Sequence, residues 1–258
     1  MELIKFVSRR SRLGEITYDV LNLVYAGLLL ALVITFDPPV LAYVLVLLSK
    51  WRVFAVRPRF WLANVQSNLI DTIVGLSVVT LMWLASGNEW TQIAMAVLFA
   101  GWLVIVKPRS KIRWVLAQAG VGQFLGLMAL FSVSYQLPAI IVVAGASIIG
   151  YAAARHALTA HKTESDRMLL SLTWVFVVAE LAWLSYHWTI AYVLGAQLAI
   201  PQIAIITTLI GFAAVKIYGA YENDGKIEFA ELRWPVLFAA LILVLLLGRF
   251  SGLDISQF

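Results

Sequence analysis

Uninterrupted apolar runs recur along the whole of this chain, and they decide what it can become. A helix needs about 20 apolar residues to cross the ~30 Å hydrocarbon core of a bilayer at 1.5 Å rise each. Runs of this kind are read at 16–36, 39–56, 64–85, 90–106, 113–134, 137–155, 167–187, 200–217 and 234–250. Of the 258 residues, 62% are hydrophobic and 13% charged; soluble domains have roughly 45–50% and about 25%. A soluble fold of this size cannot bury so much apolar surface. A soluble enzyme, a disulfide-stapled secreted domain and a disordered tail are excluded. The sequence predicts an all-α, polytopic helical integral membrane protein with about nine transmembrane helices. Two pieces fit less well: Lys50 and Arg52 at the end of the second run must snorkel to the interface, and Thr189–Ile200 is short enough to read as a re-entrant or surface segment. The absence of cysteine removes disulfides, thiolate chemistry and Cys-ligated metals.

Basic residues orient the spans. With the N-terminus cytoplasmic, the inner segments hold Arg9, Arg10 and Arg12, then Lys50, Arg52, Arg57 and Arg59, then Lys107, Arg109, Lys111 and Arg113. Arg155, Lys162 and Arg167 follow, and finally Lys216, Lys226 and Arg233. The outer segments Phe36–Pro39, Ser86–Glu89, Ser134–Pro138 and Tyr186–Ile200 carry no Lys or Arg; Arg249, at the end of the last run, is the exception. This one-sided bias is the positive-inside pattern, with the C-terminus outside. Residues 1–15 form a basic amphipathic lead-in, and no small-residue cleavage site follows the first run, which is read as a retained span.

The first four runs resemble the next four in the same direction. Arg10-Ser11-Arg12-Leu13 corresponds to Arg109-Ser110-Lys111-Ile112, Gly27 to Gly126, and Pro39 to Pro138, all at an offset of 99 residues. Trp83 meets Trp183 at an offset of 100, and Gln92-Ile93-Ala94 meets Gln202-Ile203-Ala204 at 110. The division expected is 1–107 and 108–217 as two parallel four-helix repeats, with 218–258 as a linker, a ninth C-terminal helix and an outer tail. Transporters with parallel repeats commonly hold their solute between the halves.

Ionisable groups inside the runs carry the functional reading, because a mid-membrane carboxylate costs ~2.5–3.5 kcal/mol on insertion scales. Asp71 lies in the third run, on one helical face with Asn64, Asn68 and Gly75. Glu180 lies in the seventh, in a seven-residue stripe with Thr173 and His187 beside Trp183. Neither acid has an evident basic partner at mid-depth, so burial favours their protonated forms. Together with Asn68, His187, Gln92 and Gln202, they are candidates for a solute or proton pathway; each is also explained as a hydrogen bond between helices. Gly122-x-x-x-Gly126 and Ala146-x-x-x-Gly150-x-x-x-Ala154 read as small-residue packing seams.

Other motifs exclude more than they assign. Lys50-x6-Arg57-Pro58 matches the first element of the lipid-phosphate phosphatase signature, but its downstream Pro-Ser-Gly-His and second His motif are missing. What survives is a cradle for anionic lipid headgroups at the inner interface: Lys50, Arg52, Arg57 and Arg59 interleaved with Trp51, Phe54, Phe60 and Trp61. His156, His161, Glu164 and Asp166 share one loop without a specific zinc spacing, so no metal and no cofactor are expected. No zincin, nucleophile-elbow or Walker motif is present.

The run Lys50-Trp51-Arg52-Val53-Phe54-Ala55-Val56-Arg57-Pro58-Arg59 and the later Glu180-Leu181-Ala182-Trp183-Leu184-Ser185-Tyr186-His187-Trp188-Thr189 resemble uncharacterised multi-spanning membrane proteins of reduced-genome, Saccharibacteria-like candidate-phylum bacteria. That resemblance implies a bacterial inner-membrane setting and no particular activity. The function expected is a small permease or carrier, with proton coupling through Glu180 as the outer group and Asp71 as the inner one. Alternatives are a non-catalytic scaffold or envelope-assembly component docking partners on its basic loops, and an enzyme acting on a lipid-linked substrate. Membrane lipids with anionic headgroups are the expected partners, and nucleic acid is not.

Overall fold

The computed structural model describes residues 12–161, 164–195, 198–224 and 229–250. Arg9, Arg10, Lys162 and Lys226, with the outer tail 251–258, lie outside the described residues, as does the side chain of Arg52. The helices are α1 (Arg12–Thr35), α2 (Val40–Leu48), α3 (Trp61–Leu84) and α4 (Glu89–Gly101), which runs on as a π-helical turn over Trp102–Val106. Then come α5 (Ile112–Ser132), α6 (Ala139–Leu158), α7 (Arg167–His187), α8 (Gln202–Asp224) and α9 (Phe229–Phe250). Among the described residues, seven helices are long and apolar enough to cross a membrane: α1, α3, α4 with its π turn, α5, α6, α7 and α8. That architecture is compatible with an integral membrane protein. Its surface agrees: Leu62, Leu98 and Ile140 are more than 70% exposed, which suits a lipid solvent and not water.

The second expected span differs from the expectation. Val40–Leu48 is nine residues, or about 14 Å of helix, half the hydrocarbon thickness. Ser49 ends it by turning its hydroxyl back onto the Val46 carbonyl at 2.7 Å. Lys50–Phe60 then descends through two short 3-10 turns, Trp51–Val53 and Pro58–Phe60. Arg57 is extended (ψ 138°), the conformation a following proline imposes, so helix cannot resume before Pro58. The apolar run reads as one span because hydropathy does not register where a helix stops.

α3 and α5 form the centre. Half of the apolar stretch of each is buried, against 17% in α1, α7 and α8. α3 packs on α1, α2, α4, α5 and α6, and α5 on α6 and α8; α7 lies against α6, and α9 against α8. Small residues set the closest approaches, as expected where no hydrophobic force drives helices together in lipid. A Cβ on Gly126 would lie 2.9 Å from Cγ2 of both Ile73 and Ile149, and one on Gly75 would lie 2.9 Å from Cγ1 of Val46.

Two tethers close the end of the bundle away from the basic loops. Trp83 Nε1, at the end of α3, donates to Asp37 Oδ1 at 2.8 Å; Tyr186, at the end of α7, donates to the Leu137 carbonyl at 3.0 Å. Each reaches the turn just before the proline that precedes α2 or α6, Pro39 and Pro138. Thr189–Ile200 is largely an antiparallel ribbon, β1 (Ala191–Gly195) pairing with β2 (Leu198–Pro201), with Leu198 buried and β2 packed on α5.

Gly126→Ala is expected to lower unfolding stability by about 1–3 kcal/mol, the usual cost of overpacking. Gly120→Ala, where a Cβ meets nothing within 4 Å, should cause no loss. Thermal unfolding of both variants in one detergent checks this.

Candidate functional site

Asp71 lies in the fourth turn of α3, roughly 15 Å along the helix from Trp61. Contacts between α2 and α3 step down the pair in antiparallel register. The Tyr43 and Thr80 hydroxyls are 3.0 Å apart, Val46 fills the space beside Gly75, and one turn further Lys50 Nζ approaches Asp71 Oδ2 at 3.4 Å. The same oxygen is 2.9 Å from Nζ of Lys107, which follows the π turn of α4. The expectation that Asp71 lacks a basic partner at mid-depth is therefore overturned. Lysine stems span several ångströms, and the break after α2 brings Lys50 inward where a continuous helix would carry it away.

Both lysines border a cleft of about 290 Å³ lined by Ser49, Lys50, Val53, Asn64, Asn68 and Lys107, and Asp71 lies behind them. The cleft lies where the second crossing segment stops being helical. Irregular backbone at membrane depth is tolerated where it is buried in protein or lines a wet cavity. Both lysines and the carboxylate are largely buried, with side chains 16%, 28% and 18% exposed for Lys50, Lys107 and Asp71. The charge count is two ammoniums against one carboxylate, a surplus of one positive charge.

Gln118, on α5, fixes the end of α4. Its Nε2 donates to the Val106 carbonyl at 2.7 Å and the Arg109 carbonyl at 3.0 Å, while its Oε1 accepts from His156 Nε2 at 2.9 Å. It thereby satisfies carbonyls that a helix end leaves open, and holds the backbone from which Lys107 projects. Burial lowers the Lys107 pKa, and the attraction and hydrogen bond of Asp71, with smaller contributions from Tyr18 and Lys50, together offset this and raise it above the usual lysine value. Tyr25, on α1, closes the other side by donating to Ser49 Oγ at 3.4 Å.

The remaining candidates are dispersed. Asn68 lines the cleft and donates to the Asn64 carbonyl at 2.9 Å. Gln92 is buried and donates to the Met82 carbonyl at 2.9 Å; Gln202 donates to the Leu246 carbonyl at 3.4 Å. Both amides thus tie helix to helix. Glu180 is exposed on α7 with Thr173, Phe176 and Trp183, and is not among the residues lining the cleft. His187 is exposed too, edge-on to Trp183 at 4.9 Å. The headgroup cradle is divided: Lys50 turns in to Asp71, whereas Arg57 and Arg59 are exposed, Arg59 lying 4.6 Å over the Phe60 ring. Trp51, Phe54, Phe60 and Trp61 are exposed beside them. Among the described residues no group of His, Asp and Glu is placed to hold a metal. His161 instead meets Tyr218 edge-on, and Tyr218 donates to Glu164.

Sequence reasoning passed over Lys107 and Gln118 as site residues. Lys107 reads as one of several topology-setting cations, and Gln118 as a packing amide. A polar residue in a span, facing the chain end of its neighbour, was the available signal. Comparison with family models, with curated proteins and with solved structures finds no match.

Asp71→Asn removes the main influence that raises the Lys107 pKa and leaves burial, which lowers it. The pH midpoint for acylation of Lys107 by an amine-reactive reagent should therefore move to lower pH, read by peptide mass spectrometry. Gln118→Leu leaves carbonyls and His156 without their partner and should cost about 1–3 kcal/mol, with faster amide exchange over Lys107–Arg109.

Proposed function

We propose that this integral membrane protein is a small permease or carrier whose solute enters the Lys50–Asp71–Lys107 cleft. One observation carries the reading: a charged cluster borders a cleft where an apolar segment stops being helical. Discontinuous spans and midplane charges are how carriers build solute sites. By the positive-inside pattern the cleft faces the cytoplasm of a bacterial inner membrane, with the N-terminus inside and the C-terminus outside.

Asp71 is the inner protonatable group of this reading. Protonation would release both ammoniums from their counter-ion and so couple a proton to solute occupancy. Internal duplication is part of the proposal. The two aromatic tethers to turns before Pro39 and Pro138, and the contacts of α1 with α4 and of α5 with α8, support it. Rocking of residues 1–107 against 108–217 would then alternate access, with 218–258 peripheral.

The second reading is a membrane scaffold, favoured by Glu180. A carboxylate exposed on an apolar span is costly in lipid, and a partner helix covering α7 would relieve it. Glu180→Gln separates the two. If Glu180 is the outer proton station, the variant loses proton-coupled uptake with its assembly state unchanged. If α7 is a docking face, it loses an assembly and keeps any flux.

The carrier reading is tested in proteoliposomes with an entrapped pH dye, challenged in turn with inorganic phosphate, glycerol phosphate, amino acids and sugars. At least one solute should drive a pH change that Asp71→Asn abolishes. Flux equal to that of empty liposomes for every solute, from protein shown to be folded, refutes it.

A further inference from the structure

The charge count and the fate of each polar atom say more about what the cleft takes. Helix C-termini carry partial negative charge, and both α2 and the π turn of α4 end here, so their carbonyls would compete for a cation. Four carbonyls at or just past these ends already accept a hydrogen bond. Val46 accepts from Ser49 Oγ and Leu47 from the Lys50 amide; Val106 and Arg109 accept from Gln118. What faces the cleft is donor-rich: two ammoniums with six N–H groups between them, directed in part at a single carboxylate oxygen. A donor surplus around a net positive charge fits an oxygen-rich anion.

We propose that the cleft is an anion site for a phosphate group, bound between Lys50 and Lys107 in competition with Asp71. The proposal rests on the reading of this cleft as the ligand site and adds the ligand's chemical class. Asp71 occupies the place of the ligand's oxygen, a built-in counter-ion that keeps the lysines paired when the site is empty. Removing it should strengthen anion binding, an effect opposite to that of deleting an ordinary structural ion pair. The phosphate has two possible sources, a lipid headgroup or the free anion. The cleft adjoins Lys50–Phe60, whose exposed Trp51, Phe54 and Phe60 border its approach from the lipid side.

The full chain in phosphatidylcholine nanodiscs is titrated with millimolar inorganic phosphate against chloride of matched ionic strength, with thermal unfolding and rim tryptophan fluorescence as readouts. A second arm replaces part of the phosphatidylcholine with phosphatidic acid. Ligand bound to the folded state raises the melting temperature. A phosphate response identifies the free anion as a ligand; a response to phosphatidic acid alone identifies the headgroup. In the responding arm, Lys107→Gln and Lys50→Gln should each weaken apparent affinity about tenfold, the loss of a charge-assisted hydrogen bond. Asp71→Asn should tighten it by a similar factor, and Lys111→Gln, an exposed cation near the same end, should leave it unchanged. Lys107→Gln retains the Lys50–Asp71 pair, so it keeps the test decisive if Asp71→Asn fails to fold. No response in either arm, or an equal response in the Lys50→Gln/Lys107→Gln double variant, overturns the proposal. Phosphate binding without solute flux leaves the anion site standing and removes the carrier reading. Asp71-dependent flux without phosphate binding does the reverse.

Discussion

Asp71 draws two ammonium groups to a single oxygen from two segments that are distant in sequence, and the basic end of the bundle is arranged around that pairing. A lone carboxylate in α3 would face lipid or neutral helices at considerable cost. Here one cation arrives because α2 stops short and the other because α4 widens into a π turn. Each distortion gives up regular helical hydrogen bonding, and each is compensated locally: Ser49 closes α2, and Gln118 closes α4. The central packing of α3 on α5 keeps these pieces in register, with Gly122 and Gly126 admitting Ile70 and Ile73 from the turns on either side of Asp71.

Much of the helical layout was legible in the sequence because lipid imposes a simple rule. Every backbone polar group must be paired within the span, so length and hydropathy mark α1, α3 to α8 with little ambiguity. The rule says nothing about a run that is apolar but not helical to its end, and this is why Pro39–Val56 was read as one span. Within the helices, facing was harder. α7 is apolar on nearly every side, so spacing could place Glu180 with Thr173 and His187 on a stripe without saying whether that stripe faced the core.

The site was half legible. Asp71, Asn64 and Asn68 announce themselves by spacing on one face, and the structure adds what spacing cannot supply. Lys50 and Lys107 are separated from Asp71 by 21 and 36 positions, and both lie in basic clusters that topology alone explains. Their pairing with Asp71 is a property of how α2 seats on Gly75 and how far α4 runs before it opens. The buried glutamines teach a related lesson. Gln92, Gln118 and Gln202 look alike as polar residues in spans, but all three spend their amides on main-chain carbonyls, and only Gln118 does so beside the charges.

The shortness of α2 also reaches outward, to the lipid. Along this edge a leaflet meets about 14 Å of helix and then a stretch of irregular chain bearing aromatic rings and arginines. Acyl chains cannot solvate open peptide groups, so the bilayer has to pucker and draw headgroups and water down toward Lys50. A bilayer of shorter acyl chains therefore matches this flank better than one of longer chains.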